Sequence, residues 1–130
     1  MHIRPITEAK HVDSYLVGPL LAVLFTEPIA TSAETYHHIL YTYRPDPQSP
    51  PTPGNPPPRI MTIMALNDKA GNNLMRVVTD AGHRDGPINP QGLQLEGFTQ
   101  YALALVARRY NIHQNPVRMP MPNADAPFGG

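Results

Sequence analysis

The chain has 130 residues, with ten basic and ten acidic side chains and therefore no formal net charge at neutral pH. This length suits one domain with one core, and zero net charge excludes a global field that gathers nucleic acid or anionic membrane. No cysteine is present, which excludes disulfides, thiolate nucleophiles and cysteine-ligated metals. The N-terminus lacks the apolar run of a signal peptide, and no run reaches membrane-spanning length. We therefore expect a soluble, intracellular protein with no membrane partner.

The first predicted element is a helix within residues 7–25, with Thr7 or Ser14 as a candidate cap. Apolar residues recur there at three- and four-residue steps, the spacing that gives a helix one buried face: Val12, Tyr15, Leu16, Pro19, Leu20 and Val23. Pro19 leaves an alternative open, because a proline inside a helix removes a hydrogen bond and clashes with the preceding turn. In that alternative the helix ends at Val17 and residues 20–25 form a short buried strand.

Three strands are predicted next, at residues 36–43, 60–66 and 74–79. Each is rich in apolar, β-branched or aromatic residues, as strands usually are. The segment 67–73 consists largely of turn formers, so the second and third strands should form a hairpin. A further strand at residues 1–6 is possible.

A break in regular structure is predicted at residues 81–87, followed by a second helix from Leu95 onward. Its apolar set has helical spacing: Leu95, Phe98, Ala102, Leu105, Val106 and Tyr110. Asn89 before Pro90 is a candidate cap and first-turn pair. Gly92 and Gly97 favour a later start for this helix.

In this order the elements predict an α+β fold, a small antiparallel sheet of three to four strands packed against two helices. Topologies of the βαββ type that resemble ferredoxin-like folds are compatible with that order. We expect a single α+β domain over residues 1–113 with a proline-rich loop inserted at residues 44–59. An extended C-terminal tail is expected over residues 114–130.

The proline-rich loop is the most unusual feature of the sequence. Eight of the 17 prolines fall between Pro45 and Pro58. Four of them recur at every third residue, the repeat of a polyproline II helix: Pro47, Pro50, Pro53 and Pro56. Because such a segment loses little entropy on binding, Arg44 and these four prolines are predicted partner-binding residues. One alternative is a rigid surface loop that binds no partner. Another is a ligand for an SH3 domain, which Asp46 beside Arg44 disfavours.

The tail after residue 113 has no periodicity that predicts a packed element. It contains the apolar residues Met119, Met121 and Phe128, and methionine adapts well to irregular grooves. We therefore expect an arm that docks on this subunit or on another one, with these three residues in contact. A frayed terminus is the alternative.

Histidines and one acid are the candidates for chemistry. His37 or His38 could join His83 and Asp85 in a hydrolytic or metal-binding cluster. Adjacent strand residues point to opposite faces unless a bulge intervenes, and the spacing supplies no complete ligand set. The sequence contains no phosphate-binding loop, dinucleotide fingerprint, nucleophile elbow or HExxH motif. We therefore predict no cofactor and no metal.

The leading functional hypothesis is a non-enzymatic interaction or assembly subunit, for example of a homo-oligomer, with the proline-rich loop and the C-terminal arm as contact surfaces. The alternative is a small enzyme or ligand-binding domain with a His/Asp site between the sheet and the second helix. Nucleic-acid binding is disfavoured by the zero net charge. It would use arginines with two stacking tyrosines: Arg76, Arg84, Arg108, Arg109, Arg118, Tyr101 and Tyr110.

Overall fold

The structure is a computed structural model that describes residues 10–30, 34–45 and 57–119, without the side chains of residues 10 and 27–30. These ranges contain seven β-strands and one α-helix. The strands are β1 Lys10–Val17, β2 Leu20–Ala30, β3 Thr35–Tyr43, β4 Arg59–Asn67, β5 Asn73–Thr79, β6 Gly82–Pro87 and β7 Val117–Met119. The helix is α1 Leu95–Arg109, preceded by a short 3₁₀ helix at Pro90–Leu93.

All seven strands belong to one antiparallel sheet in the order β6-β5-β4-β3-β2-β1-β7. Strands β1 to β6 form a meander, and α1 then carries the chain from the β6 edge to the opposite edge, where β7 pairs with β1. The predicted sheet of three to four strands with two helices is therefore wrong. A βαββ order is also wrong, because the single described α-helix follows six consecutive strands.

Residues 12–23, predicted as a helix, form the β1–β2 hairpin instead. Val17 pairs with Leu20, and the two residues between them are the turn. Gly18 has φ +56° and proline fixes the next φ near −65°, the φ signs of a two-residue type II′ turn. The helical spacing of the apolar residues arose because this turn, together with a β-bulge between His11 and Asp13, interrupts the strand alternation. The alternative strand at residues 20–25 lies within β2.

The strands predicted at residues 36–43, 60–66 and 74–79 are confirmed as β3, β4 and β5, and the β4–β5 hairpin is confirmed. The predicted break at residues 81–87 is wrong, because β6 pairs with β5 along its whole length. The sequence of β6 is GHRDGP, and its charges and proline are residues that protect an edge strand from pairing with other chains. Because these residues replace the usual β-branched and apolar ones, the strand was not recognised. The possible strand at residues 1–6 lies outside the described residues.

Helix α1 covers one side of the sheet, which we call the helix face. Removing apolar side chains from water stabilises this layer, and its buried members are Val17, Leu20, Ala22, Leu24, Leu40, Met61, Ile63, Ala65 and Met75 of the sheet with Phe98, Ala102, Leu103 and Val106 of the helix. The opposite side, which we call the second face, carries a separate buried cluster of Tyr36, Ile39, Tyr41, Met64 and Leu66.

The start of α1 follows the predicted signals in part. Asn89 accepts a hydrogen bond from the Gly92 N–H at 2.9 Å, but this caps the 3₁₀ helix. Helix α1 begins at Leu95, after Gly92, whereas Gly97 lies within its first turn. Gly97 is needed for close approach, since a Cβ there would lie 2.2 Å from the Gln91 carbonyl oxygen. The 3₁₀ helix can therefore pack directly against the first turn of α1.

Strand β7 lies inside the predicted tail and forms three residue pairs with β1. Residues 120–130 lie outside the described part of the chain, and the domain boundary at residue 113 remains a prediction. Among the described residues no helix is long and apolar enough to cross a membrane.

Candidate functional site

His38 lies on the helix face and is held in the core. Its Nε2 is 2.6 Å from the Leu93 carbonyl oxygen, its Nδ1 is 2.8 Å from Thr26 Oγ1, and its ring centroid is 5.5 Å from that of Phe98. A carbonyl can only accept, so Nε2 donates to Leu93 and the Thr26 hydroxyl donates to Nδ1 of the neutral ring. Burial lowers the pKa of His38. Both ring nitrogens are occupied, so His38 connects the sheet to the 3₁₀ helix and is not a free base.

His37 is the extra residue of a β-bulge between Tyr36 and His38 in β3. The bulge that would let adjacent histidines share a site is therefore present, and the two rings are 6.4 Å apart. His37 Nε2 nevertheless bonds to the side-chain amide oxygen of Asn67. Because a side-chain amide is neither an acid nor a base near neutral pH, Asn67 cannot relay a proton for His37.

His83 and Asp85 lie two residues apart on β6, opposite Val78 and Arg76 of β5, and so on the second face. Asp85 accepts two hydrogen bonds from Arg76, Nε to Oδ1 at 2.8 Å and Nη2 to Oδ2 at 3.0 Å. The structure thus places His83 and Asp85 together but His38 on the other side of the sheet. The four predicted site residues are not gathered around one space.

Arg76 is the centre of a polar network on the second face. It binds Glu34 through Nη2–Oε2 at 2.6 Å and Nη1–Oε1 at 3.0 Å, and the Tyr36 hydroxyl donates to Glu34 Oε1 at 2.6 Å. Its hydrogen bonds lower the pKa of both Glu34 and Asp85. Both acids are therefore ionised at neutral pH and already paired, which suits a cross-link between strands better than proton transfer.

Metal binding has no support within the described residues, where no group of three or more His, Asp or Glu side chains is arranged to hold an ion. Sequence reasoning placed Arg76 in a nucleic-acid patch and missed its role as the cross-link. The two acids that Arg76 binds, Glu34 and Asp85, lie outside the predicted strands, so no signal in the sequence would place them beside it.

Of the predicted partner-binding residues, Arg44 and Met119 lie in the described part of the chain. The Arg44 N–H donates to the Pro58 carbonyl at 3.0 Å, which closes the base of the proline-rich loop, and the Arg44 guanidinium lies 5.6 Å from the Tyr110 ring centroid. Met119 is the last residue of β7, opposite Ser14 of β1. The other six, Pro47, Pro50, Pro53, Pro56, Met121 and Phe128, lie outside the described residues.

A groove of about 820 Å³ runs between α1 and the β1–β7 edge, and we call it the edge groove. One wall is made by α1 residues at four-residue steps: Leu95, Thr99, Leu103 and Ala107. Other apolar residues of the lining are Val12, Tyr15 and Leu24 on the sheet, and Ile112 and Pro116 at one end. From Leu95 to Ala107 the wall covers twelve helical steps, a length of about 18 Å at the rise of 1.5 Å per residue. Such a groove has the length of five or six extended residues, at roughly 3.3 Å each.

The rim of the edge groove is polar. Asp13 and Arg118 form an ion pair across β1 and β7, with Arg118 Nε 2.9 Å from Asp13 Oδ1. Glu96, Gln100 and His113 also line the groove. An apolar floor inside a polar rim is the usual anatomy of a surface that binds another chain or a ligand.

Two exposed apolar side chains lie at the same edge of the sheet, on the second face. Leu16 is 42% exposed and Val117 is 58% exposed, and they are directly opposite each other in the β1–β7 ladder. Single exposed apolar residues are common, whereas this pair forms a small apolar patch at the sheet edge, on the face opposite to the edge groove.

Sequence reasoning missed the edge groove because it assigned Val12 and Tyr15 to a helix. The Gly18-Pro19 pair between two apolar runs was the signal that could have found the hairpin. The tail residues of β7 carried no strand signal, since three residues are too few to show alternation.

The chain matches no protein-family model, no curated protein and no solved structure. The geometry of the described residues is therefore the basis for assigning a function.

Proposed function

We propose that this chain is a non-enzymatic interaction and assembly subunit, in which the C-terminal arm of one copy binds the edge groove of another. The observation that carries the proposal is the apolar edge groove of about 820 Å³ on the helix face, with the exposed Leu16–Val117 pair at the same sheet edge on the second face. Glu34 and Asp85 are paired with Arg76, and His37 and His38 are hydrogen-bonded, which supports a contact function over catalysis by these groups.

The two edges of the sheet differ in how they are protected. Strand β6 presents Arg84, Asp85 and Pro87, the charged and proline residues that discourage pairing with another strand. Strand β7 is only three residues long and carries Val117. It pairs with Ser14, Tyr15 and Leu16 of β1, so residues 10–13 of β1 have no strand partner on that side within the described chain. The β1–β7 edge is therefore the edge open to another chain.

The segment that we propose to bind this edge is the C-terminal arm, residues 120–130, which follows β7 in the sequence. Eleven residues follow Met119 in the sequence, a length of up to about 36 Å when extended, which is sufficient to reach a second copy. The arm carries Met121 between Pro120 and Pro122, and Phe128 directly after Pro127. It therefore offers adaptable apolar side chains and loses less entropy on binding. An exchange of identical arms gives a closed, symmetric pair.

The proline-rich loop is the second proposed contact surface. The hydrogen bond from the Arg44 N–H to the Pro58 carbonyl and the pairing of Tyr43 with Arg59 close the loop at its base. Replacing residues 46–57 by a short glycine linker keeps both residues of that hydrogen bond, so it should leave β3 and β4 paired and weaken assembly. An unchanged mass in light scattering would remove the loop from the proposal.

The mass of the full chain in solution tests the proposal, measured by light scattering over a range of concentrations. We expect a species larger than the 14.3 kDa monomer. Ala104→Glu places a carboxylate in the wall of the edge groove at an exposed helix position, and should shift the mass towards the monomer. Replacing both Met121 and Phe128 with Ser should have the same effect.

Tyr101→Glu is the matched control, because Tyr101 is 54% exposed on the same helix but outside the edge groove. It should leave the mass unchanged. A full chain that is monomeric at every soluble concentration would overturn the proposal, and an equal effect of both glutamate variants would move the contact from the groove to the outer surface of α1.

A further inference from the structure

A second depression lies on the other side of α1, between its last turns and the β5–β6 hairpin, and we call it the basic pocket. Its volume is about 500 Å³, within the range of roughly 300 to 1,000 Å³ of small-molecule sites. Met61 and Val77 come from the helix face of the sheet, and Leu105 comes from the helix. The pocket therefore has an apolar interior of its own, separate from the edge groove.

Three arginines line this pocket from two different elements. Arg108 and Arg109 belong to the last turn of α1, and Arg84 belongs to β6. None of the three has an ion-pair partner among the described residues, and no carboxylate is among the residues that line the pocket. Asp80, in the same β5–β6 turn, is outside that lining. An uncompensated group of three like charges is an arrangement that an anion stabilises.

The helix dipole accounts for only part of this arrangement. Cations are favoured in the last turn of a helix, which explains Arg108 and Arg109 and reduces their combined positive field. Arg84 lies on a strand and gains nothing from the dipole. Arg84 lies beside the two helical arginines and over apolar residues. This arrangement indicates a site for a ligand that has a negatively charged group and an apolar part.

We propose that the basic pocket binds a small phosphate monoester with an apolar body. Guanidinium groups are planar, always charged and matched to the oxygens of a phosphate group, which several of them can share. The apolar body would lie against Met61, Val77 and Leu105. The zero net charge of the chain gives a nucleic-acid backbone no long-range attraction, so a small ligand is favoured over a polymer.

Phenyl phosphate and inorganic phosphate are the probes, titrated into the full chain while backbone amide resonances are recorded. We expect saturable shifts at residues 79–84 and 105–109, with phenyl phosphate binding more tightly than inorganic phosphate. Arg84→Gln and Arg109→Gln should each weaken phenyl phosphate binding about tenfold or more, as expected for the loss of a charge-assisted hydrogen bond. All three arginines are exposed, so these variants should remain folded.

Arg118→Gln is the matched control, since Arg118 is an exposed arginine at the β1–β7 edge, paired with Asp13. It should bind phenyl phosphate as the unchanged chain does. Equal binding of the two probes, an equal loss in Arg118→Gln, or unchanged binding in Arg84→Gln would each overturn the proposal. A single-stranded oligonucleotide that binds more tightly through the same arginines would replace it with a nucleic-acid site.

Discussion

Arg76 lies directly opposite Asp85 in the β5–β6 ladder and binds it through Nε–Oδ1 at 2.8 Å and Nη2–Oδ2 at 3.0 Å. The same guanidinium binds Glu34 on its other side. One side chain thus connects the edge strand β6 to the β3 side of the sheet, and two acids depend on it for neutralisation.

Arg76→Met should destabilise the fold by about 1–3 kcal/mol, because it removes charge-assisted hydrogen bonds from two partly buried carboxylates. Arg118→Met is the control: the Arg118 side chain is 73% exposed in its pair with Asp13, and an exposed ion pair contributes roughly 0–1 kcal/mol. The free energy of unfolding in urea measures both. Equal costs for the two variants would contradict a central role for Arg76.

The part of the fold that could be predicted from sequence is the part with regular periodicity. In strands β3 to β5 apolar residues either alternate with polar ones or run continuously, and in α1 they recur over four turns. In both cases the apolar positions of the pattern are positions that are buried or partly buried. The Gly18-Pro19 turn and the bulge after His11 shifted the β1–β2 alternation towards a helical spacing. A one-residue shift changes which face every later side chain occupies, so pattern matching failed there.

The candidate sites were harder to predict because they form between distant segments. The Nε2 of His38 donates to the backbone carbonyl of Leu93. Every residue type carries such a carbonyl, so the sequence does not identify Leu93 as the partner. The edge groove joins β1 to the residues after α1, and the basic pocket joins β6 to the end of α1. Such contacts depend on the order of strands in the sheet, which local patterns do not determine.

His38 should make stability depend on pH just below neutrality. Burial lowers its pKa from the ordinary value of 6.5, so the unfolded chain binds more protons than the folded chain between the two pKa values. Stability from His38 is then fully present above pH 6.5 and is lost as the pH falls towards the folded pKa.

The measurement is urea unfolding at about pH 7.5 and about pH 5.5, where one group contributes at most about 1.4 kcal/mol per pH unit. His38→Gln should reduce the difference in unfolding free energy between the two conditions. His113→Gln, at an exposed position, should keep it. A His38→Gln protein with an unchanged pH dependence would show that another group is responsible.

Gly97→Ala should destabilise the protein although alanine favours helices more than glycine does. An added Cβ would lie 2.2 Å from the Gln91 carbonyl oxygen, so the 3₁₀ helix would have to move away from α1 and with it the Leu93 carbonyl that binds His38. We expect a cost of about 1–3 kcal/mol, as for other overpacked sites. Gly86→Ala, with no atom within 4 Å of the added carbon, should change stability by about 0.5 kcal/mol or less.

Thr42→Val should stabilise the protein. Thr42 is fully buried on the helix face, and its hydroxyl has no hydrogen-bond partner among the described residues. Valine keeps the shape and removes an unsatisfied polar group, for an expected gain of about 1 kcal/mol. Thr99→Val is the matched control, because the Thr99 hydroxyl donates to the Leu95 carbonyl at 2.6 Å and its loss should not stabilise. Thermal unfolding of the two variants compares them directly. A destabilised Thr42→Val protein would mean that the hydroxyl has a partner in solution, since the change of shape alone is too small to reverse the sign.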